Sequence, residues 1–291
     1  MSAPRVSVVV PTAGRPAQLA RCLAALRAQD EPDGGFEIVV AIDGDETTPD
    51  PDGARVVRHA RRRGPGAARN TGAVAARGEV LAFTDDDCVP DRGWLAALLA
   101  GLGPGAAVGG RTVNALGANR FADASQHIVD LVYAHYNRDE RAARFLASNN
   151  LAVRRDDFLA VGGFDAGAFP FASEDRDLCD RWRASGRTLR LVPEAVVRHA
   201  HELDLAGFVA QHLAYGRGAA RYHRARRARG TGRLRDDLPF HLDPSLYVHT
   251  ARLRPRRRAA RVAALLPLWQ AANAAGYALE GAAMNRFRPH G

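Results

Sequence analysis

Lysine is missing from this chain of 291 residues: its 41 basic residues are all Arg. A GC-rich genome produces that bias. Over most of the chain, the formal net charge of +9 reads as a solvated surface. Cysteine is scarce. Cys22, Cys88 and Cys179 are too few and too scattered for a disulfide framework, and no metal-type spacing links them. A reducing cytosol fits that usage. No charged stretch leads into an apolar run and a cleavage site at the N-terminus, so no signal peptide is expected. Internal repeats are absent, and multiple membrane spans are excluded. What is present is 46% hydrophobic and 25% charged residues. That supports a sizeable core and excludes wholesale disorder. The length suits one large domain, or a domain with an extension.

Short apolar runs alternate with helical periodicity from the start. Val6–Val10 reads as a buried strand and ends in the turn-rich Pro11-Thr12-Ala13-Gly14-Arg15-Pro16. Pro16 suits the first turn of a helix, and Leu19, Cys22, Leu23 and Leu26 follow at helical spacing. Further strands are predicted over Glu37–Ile42, Arg55–Arg58 and Val80–Phe83, with a helix over Ala67–Ala76. A helix is predicted over Pro90–Leu102, another near Phe121–Tyr136, and a strand near Asn150–Val153. Asp156–Val161 and Glu174–Ser185 read as helices, and Leu189–Val192 and Ala195–Arg198 as two short strands. This alternation predicts an α/β fold with a mostly parallel sheet flanked by helices. The first loop lacks G-x-G-x-x-G, so a dinucleotide-binding turn is not supported.

Two acidic clusters stand out. Asp85-Asp86-Asp87 follows the Val80–Phe83 strand, and Glu174-Asp175 opens a helix about ninety residues on. A strand ending in carboxylates presents them at the carboxyl edge of the sheet, where open α/β sheets bind ligands. Residues i and i+2 of an extended chain point the same way, so Asp85 and Asp87 act together while Asp86 faces away. Hard oxygen donors there suit Mg²⁺ or Mn²⁺ carrying a phosphate substrate.

An ordered set of blocks resembles the family 2 glycosyltransferases of the GT-A fold. The blocks are Val6–Thr12, Glu37–Gly44, Gly66–Gly72 with Gly78, Phe83–Asp87, Asn150–Arg154, Gly162–Asp165, Glu174–Leu178, Pro193–Ala195 and His199. They cover about residues 5–201 and leave the C-terminal third outside. The resemblance implies a catalytic domain over 1–204 with a helical C-terminal extension over 205–291. It implies an inverting, metal-dependent transfer of one sugar from a nucleotide-diphosphate sugar to an acceptor hydroxyl, in cell-envelope glycan or glycoconjugate synthesis. Asp175 is then the general base, with Glu174 beside it. Asp87, Asp85 and His199 hold Mn²⁺ or Mg²⁺. Donor contacts fall to Pro11, Thr12 and Arg15 in the first loop, Asp43 at the base, Arg69 and Asn70 at a helix start, Asp85, Asp86 and, in the sugar pocket, Asn150. Asp177 is structural, and Trp182 is core. Processive polymer synthases carry Q-x-x-R-W, whereas here Leu178 stands in the Gln position before Arg181-Trp182. Single-sugar transfer is therefore favoured.

The C-terminal third changes character. Leu205–Arg229 reads as a helix, 230–250 as a linker, and Ala259–Ala283 as a long helix. Six Arg between Arg252 and Arg261 precede an uncharged window over Val262–Leu279. As a helix that window spans about 27 Å, and Pro267, Gln270 and Asn273 argue against its crossing a bilayer. Leu265, Trp269, Ala272 and Leu279 share one face. That face either packs on the protein or a homodimer mate, or lies on an anionic membrane beside a lipid-linked acceptor. The expected location is the cytoplasm, at the inner face of the plasma membrane. The competing readings are a sugar nucleotidyltransferase, whose Gly-rich first loop Pro11–Pro16 matches poorly, and an Arg-rich membrane or nucleic-acid binder. No nucleic-acid partner is expected, because the Arg runs lie mostly outside the acidic site.

Overall fold

The computed structural model describes residues 3–170 and 172–286. Contacts divide it into two compact units. The first comprises residues up to Ala115, Asn137–Pro170 and Glu174–Ala200; the second comprises Leu116–Tyr136, Ala172 with Ser173, and the chain from His201 onward.

The first unit is built on eight strands: β1 (Val6–Thr12), β2 (Phe36–Asp43), β3 (Arg55–His59), β4 (Val80–Phe83), β5 (Cys88–Pro90), β6 (Ala106–Asn114), β7 (Leu151–Arg154) and β8 (Thr188–His199). Its helices are α1 (Pro16–Arg27), α2 (Pro65–Ala75), α3 (Trp94–Gly101), α5 (Arg155–Ala160) and α6 (Glu174–Ala184), with α4 (Arg120–Tyr136) in the second unit. The strand order is β3-β2-β1-β4-β7-β6-β8-β5. The sheet is mixed. β1, β2, β3 and β4 run parallel, β7 is antiparallel to both β4 and β6, and β5 is antiparallel to β8.

The apolar runs of β1, β2 and β4 follow from burial on both faces. Val8, Val10, Val40 and Ala82 point to one layer with Leu19, Leu23 and Leu26 of α1 and Trp94, Leu95 and Leu98 of α3. Val9, Val39, Leu81 and Phe83 point to the other, with Phe158, Phe164, Leu178 and Trp182. Helix α2 lies close on this second face. A Cβ at Gly72 would stand 2.5 Å from a methyl of Val9, so only glycine permits the approach.

Three predicted boundaries change. The strands expected over Leu189–Val192 and Ala195–Arg198 are one strand, β8, whose pairing with β6 shifts register between Gly109 and Arg111. That irregularity takes up Pro193, which cannot donate to a ladder. Pro90 belongs to the short strand β5 rather than to a helix. The 230–250 stretch is not a bare linker: it carries α8 (Leu238–Leu242) and α9 (Ser245–Ala251).

The second unit joins α4 to α7 (Leu205–Arg229), α8, α9 and α10 (Arg256–Arg286). Helices α7 and α10 touch backbone to backbone. A Cβ at Gly216 would meet the carbonyl of Asn273, and one at Gly276 the carbonyl of Leu213, each at 2.0 Å. Glu280, only 2% exposed, pairs with Arg217 and Arg221 across the same contact. Of the two readings of the α10 face, packing within the protein holds for part of it. Trp269 and Ala272 are buried with Val262 and Leu266 inside the unit, while Leu279 is exposed. No helix among the described residues is long and apolar enough to cross a membrane. Trp269→Ala should cost about 3–5 kcal/mol, the usual range for a buried Trp. Equilibrium denaturation measures it, and a variant within 1 kcal/mol of wild type would mean that α10 packs through other contacts.

Candidate active site

The parallel strands β1, β2 and β4 end together. Thr12 pairs in register with Ile42, and Val9 with Phe83, so Thr12, Asp43 and Asp85-Asp86-Asp87 share the carboxyl edge of the sheet. The three acids then separate. Asp86 is fully buried. Its carboxylate accepts from the Thr12 hydroxyl at 2.6 Å and from Arg15 Nε at 3.1 Å, and Arg15 Nη2 lies 2.5 Å from its second oxygen. Burial pushes Asp86 up to about 6, against the pull of Thr12 and Arg15. Arg15 Nη1 also donates to Asp87 at 2.9 Å. One guanidinium fork thus holds two adjacent acids, the geometry that favours Arg over a point charge. Pro11 is buried within β1.

Asp85 turns to α2. Arg69 Nη2 donates to it at 2.5 Å, and Arg69 Nη1 donates to Glu174 at 3.1 Å. Arg69 is only 3% exposed. The sequence reading counted this residue among the donor contacts; here its terminal nitrogens pair with the two acidic clusters. Gly66, one turn earlier, lies beside Glu174: a Cβ there would be in ordinary contact with Glu174 Cγ at 3.4 Å. Beside Glu174, Asp175 occupies the first turn of α6. Burial and the Glu174 charge push it up to about 7, against the Arg176 amide and Arg69. Asp177 is fully buried and holds Arg181, which donates to the carbonyls of Val161 and Gly163. Trp182 is core.

Asp87 meets His199 across the β5–β8 pair, with Oδ1 3.3 Å from Nε2. Cys88 Sγ completes a group whose donor atoms all lie within 4.8 Å of one another. Burial opposes a charged His199, but the hydrogen bond and charge of Asp87, with Asp85, prevail and raise its pKa. Burial and the Asp85 and Asp87 charges keep the Cys88 thiol protonated. The carboxylate–imidazole pair fits a cation such as Mn²⁺, and the neutral thiol adds little to a hard ion. Asp85, turned to Arg69, stands outside this group.

Two asparagines among the expected donor contacts are engaged with the fold. Asn150 is fully buried: it accepts from Trp94 Nε1 at 2.9 Å and donates to the carbonyls of Ala195 and Arg111. It brackets the core rather than lining a sugar pocket. Its half-buried neighbour Asn149 is the one near Cys88 and Thr112. Asn70 exchanges two hydrogen bonds with the backbone of Phe164, at 2.7 and 2.9 Å, so its amide is spent on that loop. Asp43 accepts from the amides of Arg63 and Gly64 and from His59 Nδ1, while His59 Nε2 meets the Thr71 hydroxyl. The sequence reading missed His59. Strand pairing would have found it, since β2–β3 register sets His59 directly beside Asp43.

Comparison with known proteins identifies the family and the fold. The family described as Glycosyl transferase family 2 matches residues 7–162. The chain belongs to that family. A pre-mycofactocin glycosyltransferase of Mycobacterium tuberculosis is 33% identical over 233 residues, covering 74% of this chain and 47% of that protein. The chain thus spans about half the length of this family 2 relative. The structure of mannosyltransferase PcManGT from Pyrobaculum calidifontis, in complex with GDP-Man and Mn²⁺, is similar with a TM-score of 0.64 at 21% identity, over 99% of this chain and 88% of that one. GalNAc-T7 with UDP, GalNAc and Mn²⁺ is similar with a TM-score of 0.56 at 16% identity, over 87% and 58%. At these identities the likeness shows the fold, of GT-A type, shared by this family 2 chain.

Arg69→Met tests the bridge. It leaves Asp85 and Glu174 without their shared cation, and removing one partner of a buried pair costs about 3–5 kcal/mol. A melting temperature equal to wild type would return Arg69 to a ligand-binding role.

Proposed function

We propose that the protein transfers a single sugar from a nucleotide-diphosphate sugar to an acceptor hydroxyl, with inversion at the anomeric carbon. The observation that carries this reading is the Arg69 bridge. It sets the strand-end acids beside Glu174-Asp175, so carboxylates suited to a diphosphate-bound cation and a group suited to a proton meet at one sheet edge. The acceptor oxygen bonds to the anomeric carbon as the bond from that carbon to the diphosphate oxygen breaks. The acceptor proton passes to Asp175, whose pKa near 7 keeps it basic enough to accept it and ionised enough to be available.

Asp87 and His199 are the residues that would hold a divalent cation, Mn²⁺ or Mg²⁺. When bound, such an ion supplies positive charge to the departing diphosphate. Arg15 fixes the orientation of Asp87 through its second oxygen. Thr12 and Arg15 hold Asp86, so the middle acid shapes the loop while its neighbours face the edge. Asp43 and His59 brace the Arg63–Gly64 turn ahead of α2 and so shape the wall on the nucleotide side.

Release of nucleotide diphosphate on adding an acceptor, with the anomeric configuration of the product read by NMR, tests the reading. A retained configuration would overturn the inverting scheme. Asp175→Asn should bind donor normally and lose about 10²–10⁴-fold in kcat. In the wild type, kcat should rise with pH through about 7, because only the carboxylate accepts a proton. Folding stability runs the other way with pH. The folded pKa lies above the unfolded one, so this group's stabilisation is full below the unfolded pKa and is lost as pH rises through 7. Asp175→Asn should therefore raise the melting temperature more at pH 8 than at pH 5. A flat pH profile in the wild type would remove Asp175 from the mechanism.

Asp87→Ala should keep the fold and lose the Mn²⁺-dependent part of nucleotide diphosphate affinity. Calorimetric titration with and without Mn²⁺ measures it. Unchanged metal dependence would move the cation elsewhere.

A further inference from the structure

Ten large apolar side chains are exposed among the described residues, and five of them fall within the stretch 234–248: Leu234, Leu238, Leu242, Tyr247 and Val248. The stretch is firmly attached on its other side. Phe240 is buried against Trp269, with ring centroids 6.1 Å apart, and against Tyr136. Leu246 and Thr250 are buried, and the Thr250 hydroxyl meets His127 Nε2 at 2.9 Å. Asp237 accepts from Tyr136, His223 and Arg226. The inner residues thus account for the folding of α8 and α9. The outward apolar set is surplus to it. Leu238 and Leu242 lie four apart on one side of α8, and Leu242 is 76% exposed.

The surroundings are strongly basic. Residues 233–261 contain eight Arg and three Asp, without a single Glu. Asp237 and Arg258 are consumed inside the unit, the latter by Asp123 at 2.7 Å. Arg252, Arg254, Arg256 and Arg257 are exposed. We propose that α8 and α9, with this arginine collar, form a docking surface for an anionic lipid bilayer. Charge selects the occupant. A second copy of the chain would set guanidiniums against guanidiniums, and like charges at an interface oppose association. An anionic membrane supplies opposite charge to the collar and a shallow apolar layer to the leucines, the combination that holds interfacial helices. The surface is not the α10 face read from the sequence, whose Trp269 and Ala272 are buried.

The test uses the full chain with sedimented vesicles of phosphatidylcholine alone, or mixed three to one with phosphatidylglycerol. At low salt, binding to the mixed vesicles should be at least tenfold tighter than to neutral ones and should weaken as salt rises. The double variant Leu242→Glu with Tyr247→Glu should lose at least tenfold in affinity while keeping the wild-type melting temperature, since both side chains are exposed. Replacing Arg252, Arg254, Arg256 and Arg257 by Gln should weaken binding and flatten its salt dependence. No binding to anionic vesicles at low salt would overturn the proposal, as would wild-type binding by the double variant. A wild-type dimer in light scattering that the double variant splits would assign the surface to a second copy instead. None of these residues belongs to the acidic edge, so either result leaves the glycosyl-transfer reading standing.

Discussion

The first unit depends on one buried guanidinium. Arg69 lies between Asp85 at the end of β4 and Glu174 at the start of α6, residues 89 positions apart in the chain. Strand packing alone would bring β4 and α6 near each other, but it would not keep three buried or half-buried charges compatible. Two carboxylates facing one another without a cation would repel and take up protons. Arg69 sits between them and pairs with both, and its guanidinium rests over the Phe164 ring at 5.7 Å. The same bridge leaves Asp175 outside its hydrogen bonds, so burial first and the Glu174 charge second raise its pKa, against the Arg176 amide and the charges of Arg69 and Arg176.

A similar division of labour runs through Asp85-Asp86-Asp87. Three consecutive carboxylates would be costly if they shared one environment. Each has its own cation or donor set: Arg69 for Asp85, Thr12 with Arg15 for Asp86, and Arg15 with His199 for Asp87. The spacing of the motif therefore matters less than the three directions in which the chain turns after Phe83.

How much of this could be read from the chain depends on whether the controlling contacts are local. The first strands were legible because Val6–Val10 and Val80–Phe83 are buried on both faces, which leaves an unbroken apolar run. The acids at their ends were legible for the same reason. Asn70 and Asn150 could not be resolved from the chain, because an amide looks equally suited to a ligand and to a backbone bracket. The choice rests on Phe164, Trp94 and Ala195, which are distant in sequence. β8 was split in two because Pro193 looks like a strand end, whereas a register shift accommodates it. On α10, the apolar periodicity was visible but its burial partner was not, since Gly216 and Gly276 contact backbone that no local pattern reveals.

The electrostatics of the edge constrain how the proposed donor would enter. Asp85, Asp86, Asp87, Glu174 and Asp175 face Arg15, Arg69 and Arg176 as their fixed cations, with His199 able to add a fourth charge. Carboxylates outnumber cations on either count. A nucleotide diphosphate brings further negative charge, and in a partly desolvated edge that repulsion is stronger than in water. The proposed ion position is at Asp87, whose Oδ1 faces His199 beside the neutral Cys88 thiol. A divalent ion at that oxygen and the His199 nitrogen would reverse the local charge and turn the edge from repelling a diphosphate to holding it. Donor and ion would then bind as one thermodynamic unit, each raising the affinity for the other by the same factor. That coupling follows from the acid surplus itself, so any change that removes a carboxylate from the edge without touching Asp87 should weaken the donor's dependence on the ion.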